Sequence, residues 1–407
     1  MKRIIHMKKS ALLLLCGALF LGACQKIEQH QEPPKDNGLT GVMVNVDNFA
    51  NSAQKIFVLN EGSMGSNSAT LDFLRLPAGI YISDAFGKMN SSVGAGLGDV
   101  GNDIAVINNE VWIVVNNSGI VEVISAEDET EINVINVPTP RYIAYDANYA
   151  YVTSWAGAYA TYEGWDLVDY SNVKGQVYRI NLKTKQVEGT VEVGYQPEGI
   201  AYYGGKLYVA NSGGLTLPPT YSYDNTVSII DAASFKVTKT VEVQVNLKNA
   251  YADSKGNIYF TTLGNYWDVH SGLYMITAAN PDSPSHVSDY ATVSNICGDT
   301  VYCIGTETEF DWTGQVDHKY SAYTVKNGVK TPLTLNLNHA TPYSIGVLNE
   351  NVIFIGELGI YTYTDPEDKL EKIATDYYNP GSVTYYWHGN SVWSVQAGIM
   401  PGHFAIY

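Results

Sequence analysis

The chain has 407 residues, 45% of them hydrophobic and 16% charged, with a formal net charge of −17. That is apolar enough for a large core, and too acidic to suit nucleic acid or an anionic membrane surface as a partner. A length of this order ordinarily suggests two or three domains, so any internal periodicity decides the domain count.

In chain order, residues 1–23 read as a signal peptide. Lys2, Arg3, Lys8 and Lys9 form a positive start, and 11–21 is an apolar run too short to remain as a spanning helix. The run ends in Leu21-Gly22-Ala23-Cys24, small residues before a Cys, which looks like a bacterial lipoprotein cleavage site. On that reading Cys24 becomes the lipidated N-terminus, and several acyl chains on it anchor the protein firmly. An ordinary secretory signal cut after Ala23 is the alternative. Residues 24–40 then form a polar tether with Pro33-Pro34 and no apolar periodicity. Removing residues 1–24 takes away four of the 24 basic residues and none of the 41 acidic ones, leaving a net charge of −21.

From residue 41 onward the chain repeats itself. The unit is clearest between 197 and 243, where four short runs rich in β-branched and aromatic residues appear at 199–203, 206–211, 226–231 and 237–243. Gly204-Gly205 joins the first two as a two-residue hairpin turn. The four runs make an antiparallel meander, with strands A, B, C and D. The B strand recurs as KIFVLN at 55, VWIVVN at 111, AYVTSW at 150, LYVANS at 207, IYFTTL at 258, VYCIGT at 301, VIFIGE at 352 and VWSVQA at 392. Four-stranded repeats at roughly 40 to 50 residues indicate a β-propeller, so residues 41–407 are expected to be one all-β domain rather than a sandwich or two β domains. Eight B-like runs imply eight blades. Unit one has no evident A strand, which leaves seven open. The last unit reads as an A strand at 382–387, a B strand at 391–396 and a short C strand at 403–407, with no outer strand. An alternating run at 42–47 is expected to complete it as an N-terminal closing strand.

Two Cys remain in the folded part, Cys297 and Cys303, flanking a turn in ICGDTVYC. Either a cross-hairpin disulfide or two buried thiols fits that spacing.

In a propeller of this strand order, the B–C and D–A connections leave one face and the A–B and C–D turns the other. The A–B turns here are short; the B–C connections at 155–175, 211–225, 264–272 and 306–319 are long. They hold Trp155, Tyr162, Trp165, Tyr221, Tyr266, Trp267 and Trp312, with Tyr159, Tyr170, Tyr223 and Phe310, interleaved with Asp, Asn, Ser and Gly. Rings that large are unusual in loops and give wide contact area with few rotatable bonds. The composition predicts a binding surface for a flat, partly apolar ligand edged with polar groups. Arg141, Asn246 and Tyr343 are the alternative contacts, over the central channel.

Catalytic motifs are weak. No GxSxG, HExxH or CxxC occurs, and Gly62-Ser63-Met64-Gly65-Ser66 lacks the Lys of a phosphate loop. His270 and His318 fall in neighbouring B–C loops and could together reach a metal, though ordinary solvent-facing His is the simpler reading. Asp365, Asp368 and Glu371 lack calcium-loop spacing and read as the turn between the C and D strands of unit seven. A non-enzyme with no catalytic cofactor and no metal is expected.

The opening KIFVLNEGSMGSNSATLDFL at 55–74 and DI-x-VINNEVWIVVNNSG at 103–119 resemble the surface lipoproteins of gut Bacteroidetes built on YncE-like propellers. Within that group the chain is similar, over nearly its whole length, to the BtuG-type cobalamin-binding lipoproteins. The resemblance implies a lipid-anchored position on the outer face of the outer membrane, binding of vitamin B12 or another corrinoid, and delivery to a TonB-dependent transporter. A corrin is a flat apolar ring edged by amides, which Trp and Tyr faces and Asn, Ser and Asp side chains suit. Sugars stack on the same rings, so a glycan-binding or protein-binding surface propeller is the alternative.

Overall fold

The computed structural model describes residues 35–36, 38–49, 53–76, 78–308, 318–337, 341–366, 369 and 371–407. Cys24 and the segment before it, Phe310, Trp312 and Asp368 lie outside them.

The B strands are apolar along their whole length because both of their faces are covered. Strand residues alternate sides, so in Lys55–Asn60 the side chains of Phe57 and Leu59 pack toward one neighbouring sheet while Ile56 and Val58 pack toward the other. This happens at every B strand. The result is seven separate apolar clusters, each lying between two successive sheets, with the last joining the seventh sheet to the first. The innermost strands touch in the same cyclic order, the seventh against the first. The molecule is a closed, seven-bladed β-propeller.

Blades 2, 4, 5 and 6 take their four strands consecutively, and blade 3 does so apart from a two-stranded hairpin inserted between its B and C strands. Blade 4, for example, is Pro197–Tyr203, Lys206–Asn211, Thr226–Asp231 and Lys236–Glu242, paired antiparallel in that order. Blade 7 is Pro342–Asn349, Val352–Glu357, Pro380–Trp387 and Asn390–Ile399. The run VWSVQA is therefore the D strand of blade 7 and not an eighth B strand. Its partner, expected as an A strand, is the C strand. The miscount has a local cause: Trp387 and Asn390 close a two-residue turn whose His388 and Gly389 both have positive φ, and a C–D hairpin with such a turn looks like an A–B hairpin. The real interruption is a two-stranded hairpin, Gly359–Thr364 with Glu371–Asp376, inserted between strands B and C. Asp365 and Glu371 belong to it, so the expected C–D turn there is corrected.

Closure also differs from the expectation. The A strand missing from blade 1 is Pro401–Ile406, which pairs with Lys55–Asn60. The C-terminal strand, not the N-terminal one, joins the ring ends. Val42–Met43 instead pairs with Ile80–Ile82 on the outer edge of blade 1. The residues after it reach blade 7 without strand pairing: Phe49 meets Phe354 and Tyr385 edge-on, and the Trp393 indole N–H donates to the Asn45 backbone carbonyl at 2.8 Å.

Cys297 and Cys303 are free thiols. Cys297 is opposite Thr300 and Cys303 opposite Ser294 in the blade 6 hairpin, an odd offset that puts them on opposite faces of the sheet. Cys303 packs toward blade 5 and Cys297 toward blade 7. The disulfide alternative is thereby corrected.

Candidate functional site

Each inner strand starts at the B–C face, and its first four residues follow one pattern: GNDI at 101, PRYI at 140, PEGI at 197, LKNA at 247, VSNI at 293, PYSI at 342 and PGHF at 401. Six of the seven starts carry a register shift in which the inner strand has one extra residue against its partner; blade 6 runs straight. Such bulges re-aim side chains. Five are preceded by a residue in the left-handed region, Val100, Thr139, Gln196, Asn246 and Met400, a conformation that is strained for Val and Thr. Positions two and three of the pattern are consequently turned toward the axis, and they surround the mouth of a central cavity of about 230 Å³.

The mouth is highly charged. Glu61, which follows the B strand of blade 1, accepts from the Tyr343 hydroxyl at 2.7 Å and faces His403 Nε2 at 3.3 Å. The other ring nitrogen of His403 lies 3.6 Å from Asp103. A Cβ at Gly402 would collide with the Glu61 carboxylate, so glycine there leaves room for Glu61 to fill position two of blade 1. Burial alone would raise the Glu61 pKa; the bond and charge of His403, the Tyr343 hydroxyl and Lys248 outweigh it and hold the carboxyl below its usual value. Asp103 is held above its usual value by burial, against the opposing charge of His403. Burial first, then Glu198, pushes the Tyr142 phenol up; burial first, then Glu61, does the same to Tyr343.

On the blade 3 side, Arg141 donates to both oxygens of Glu198 at 2.9 to 3.1 Å. Its guanidinium lies over the Trp155 ring, 4.7 Å from the centroid. The Trp155 indole N–H is buried and meets no acceptor among the described residues. Of the expected site residues, Trp155, Arg141 and Tyr343 therefore belong to the mouth itself.

The others stand around it. The blade 3 B–C connection is a free-standing hairpin, Tyr159–Glu163 with Asp166–Ser171. Trp165 is at its tip, 99% exposed, and Tyr162 projects from its side. Asn172 ties its base to the blade 4 loop by donating to the Pro218 carbonyl at 2.7 Å. Tyr221 in that loop is exposed, as is Tyr266 in the next. Trp267 is 88% exposed on a loop that Asn265 holds rigid, its side-chain oxygen accepting from the backbone N–H of Trp267, Asp268 and Val269. His270 meets Tyr290 at a tilt, with ring centroids 5.4 Å apart. Among the described residues no group of three His, Cys, Asp or Glu side chains is arranged to hold a metal ion.

Sequence reading missed the blade 7 hairpin. It stands on the same face across the ring from that of blade 3 and exposes Ile360, Tyr361 and Tyr363, with Tyr377 and Tyr378 at its base. The Tyr377 carbonyl accepts from the Ser63 hydroxyl at 2.7 Å, fixing that base to the blade 1 loop. The signal was available: YTYT at 361 alternates like a strand but is too short and too polar outside to belong to a blade.

These features define a seven-bladed propeller with an aromatic-rimmed, charged channel mouth. No family model and no curated protein matches the chain. Among solved structures it is similar to the hydrazine synthase of Kuenenia stuttgartiensis (15% identity, 63% of this chain and 76% of that one, TM-score 0.47). It is similar also to the computationally designed Ika8 protein (8%, 75% and 95%, 0.45) and to BamB from Moraxella catarrhalis (9%, 73% and 82%, 0.39).

Proposed function

We propose that this chain is a non-enzymatic, lipid-anchored surface receptor that binds a corrinoid on its B–C face and passes it to a TonB-dependent outer-membrane transporter. The observation that carries the reading is the set of exposed rings, Trp165, Trp267, Tyr221, Tyr266, Tyr361 and Tyr378, around one channel mouth. Rings so exposed on loops pinned by hydrogen bonds gain stability from an apolar partner and none from the fold itself. A rim of rings with a polar centre complements a flat apolar macrocycle bearing polar arms. The resemblance at 55–74 and 103–119 supports the ligand class, and the segment before Cys24 supports the anchor. In the test, protein mixed with cyanocobalamin is desalted and its absorbance read. Retained red colour in proportion to protein is expected. A colourless protein, together with binding on a glycan array, would replace the corrinoid by a sugar.

A further inference from the structure

The central cavity is too small for a macrocycle. At about 230 Å³ it falls below the roughly 300 to 1,000 Å³ of pockets that enclose a drug-sized molecule. A ligand seated on the rim can send only one polar arm into it. The charges at the mouth say which kind of arm. Three acids and three bases meet there. Glu198 is bound on both oxygens by Arg141. Glu61 and Asp103 share His403, and Glu61 takes the Tyr343 hydroxyl as well.

Lys248 remains. It occupies position two of the blade 5 inner strand, lines the cavity, and acts on Glu61 through charge alone. Its ammonium makes no hydrogen bond or close ion pair with any described residue. The Tyr142 hydroxyl, which lines the same cavity, is likewise bonded to none. Two residues with unengaged donors thus line a partly desolvated space whose acids are already engaged. A compact anion fits that arrangement: a lysine ammonium is a phosphate-binding point charge, and bonds to ions strengthen when water is displaced.

We infer that the channel mouth is an anion subsite, in which Lys248, seconded by Tyr142, receives the phosphodiester of the corrinoid's nucleotide arm while the ring lies on the aromatic rim. This rests on the corrinoid reading and deepens it: the receptor distinguishes complete corrinoids from those lacking the arm.

The test compares cyanocobalamin with dicyanocobinamide, which has the corrin but no phosphodiester, by calorimetry on wild type and Lys248→Met. The substitution is expected to weaken cyanocobalamin by about tenfold to a hundredfold, the range for one charge-assisted bond, and to leave dicyanocobinamide unchanged. Lys248→Arg should restore most of the loss. Lys248→Gln repeats the measurement if the Met variant melts early. Equal weakening of both corrinoids, or of neither, overturns the inference while the corrinoid reading stands. A wild type that binds neither overturns both.

Discussion

Glu122 lies on the C strand of blade 2 at 2% exposure, with one carboxylate oxygen that meets no donor among the described residues. Burial, and then the neighbouring Glu131, pushes its pKa up to about 8. The folded state therefore keeps a proton that the unfolded chain releases near the ordinary value of 4.5, and stability falls as pH rises between those values. Glu122→Gln should raise the melting temperature at pH 8 to 9, with the gain fading toward pH 4.5; a gain independent of pH would contradict the assignment. Trp267 has the opposite character. It is 88% exposed on a loop that Asn265 ties down through the backbone, so Trp267→Ala should leave the melting temperature unchanged and weaken cyanocobalamin roughly thirtyfold, the typical effect of losing an aromatic anchor. Unchanged affinity in calorimetry would remove it from the site. Trp165, Trp267, Tyr221 and Tyr266 were legible in the sequence because large rings among Gly, Asn and Asp stand out. The mouth was legible only at Trp155, Arg141 and Tyr343. Glu61, Lys248 and His403 lie far apart in the chain, and it takes the bulges to turn Lys248 and His403 toward the axis that Glu61 reaches from just past a B strand.

Strands that face two sheets announce themselves as unbroken apolar runs, which is why all seven B strands were found. Edge and closing strands carry no such mark. PGHFAI at 401 pairs on one side only through Lys55–Asn60 and faces the channel on the other, so it reads as an ordinary half-buried strand that could join either blade. Its placement predicts a sharp asymmetry. Deleting residues 400–407 should lower the melting temperature steeply, because it opens the ring and bares the inner edge of blade 1. Deleting residues 25–43 should lower it only slightly, since Val42 and Met43 are more than half exposed. The reverse order in thermal denaturation would return closure to the N-terminal strand. The hairpins make a second prediction at this level. An isolated two-stranded ribbon adds little stability of its own, so replacing 159–171 by Gly-Gly should leave melting nearly unaltered while reducing cyanocobalamin binding. Lost stability without lost binding would make the hairpin a structural cover.

Seven apolar clusters between seven blades give a ring whose stiffness resides in its walls, and one end of that ring carries the long connections. The opposite end carries tight turns such as Gly204-Gly205 and His388-Gly389. Under the proposed function, a receptor of this build would present its ligand outward on the B–C face without changing the blades beneath. That arrangement is the central claim, and amide hydrogen exchange with and without cyanocobalamin tests its two halves together. The account predicts slowed exchange in residues 155–173, 212–225, 263–271 and 358–379 and at the starts of the inner strands, with the A–B and C–D turns unaffected. Exchange unchanged everywhere, or slowed only in those turns, would contradict it.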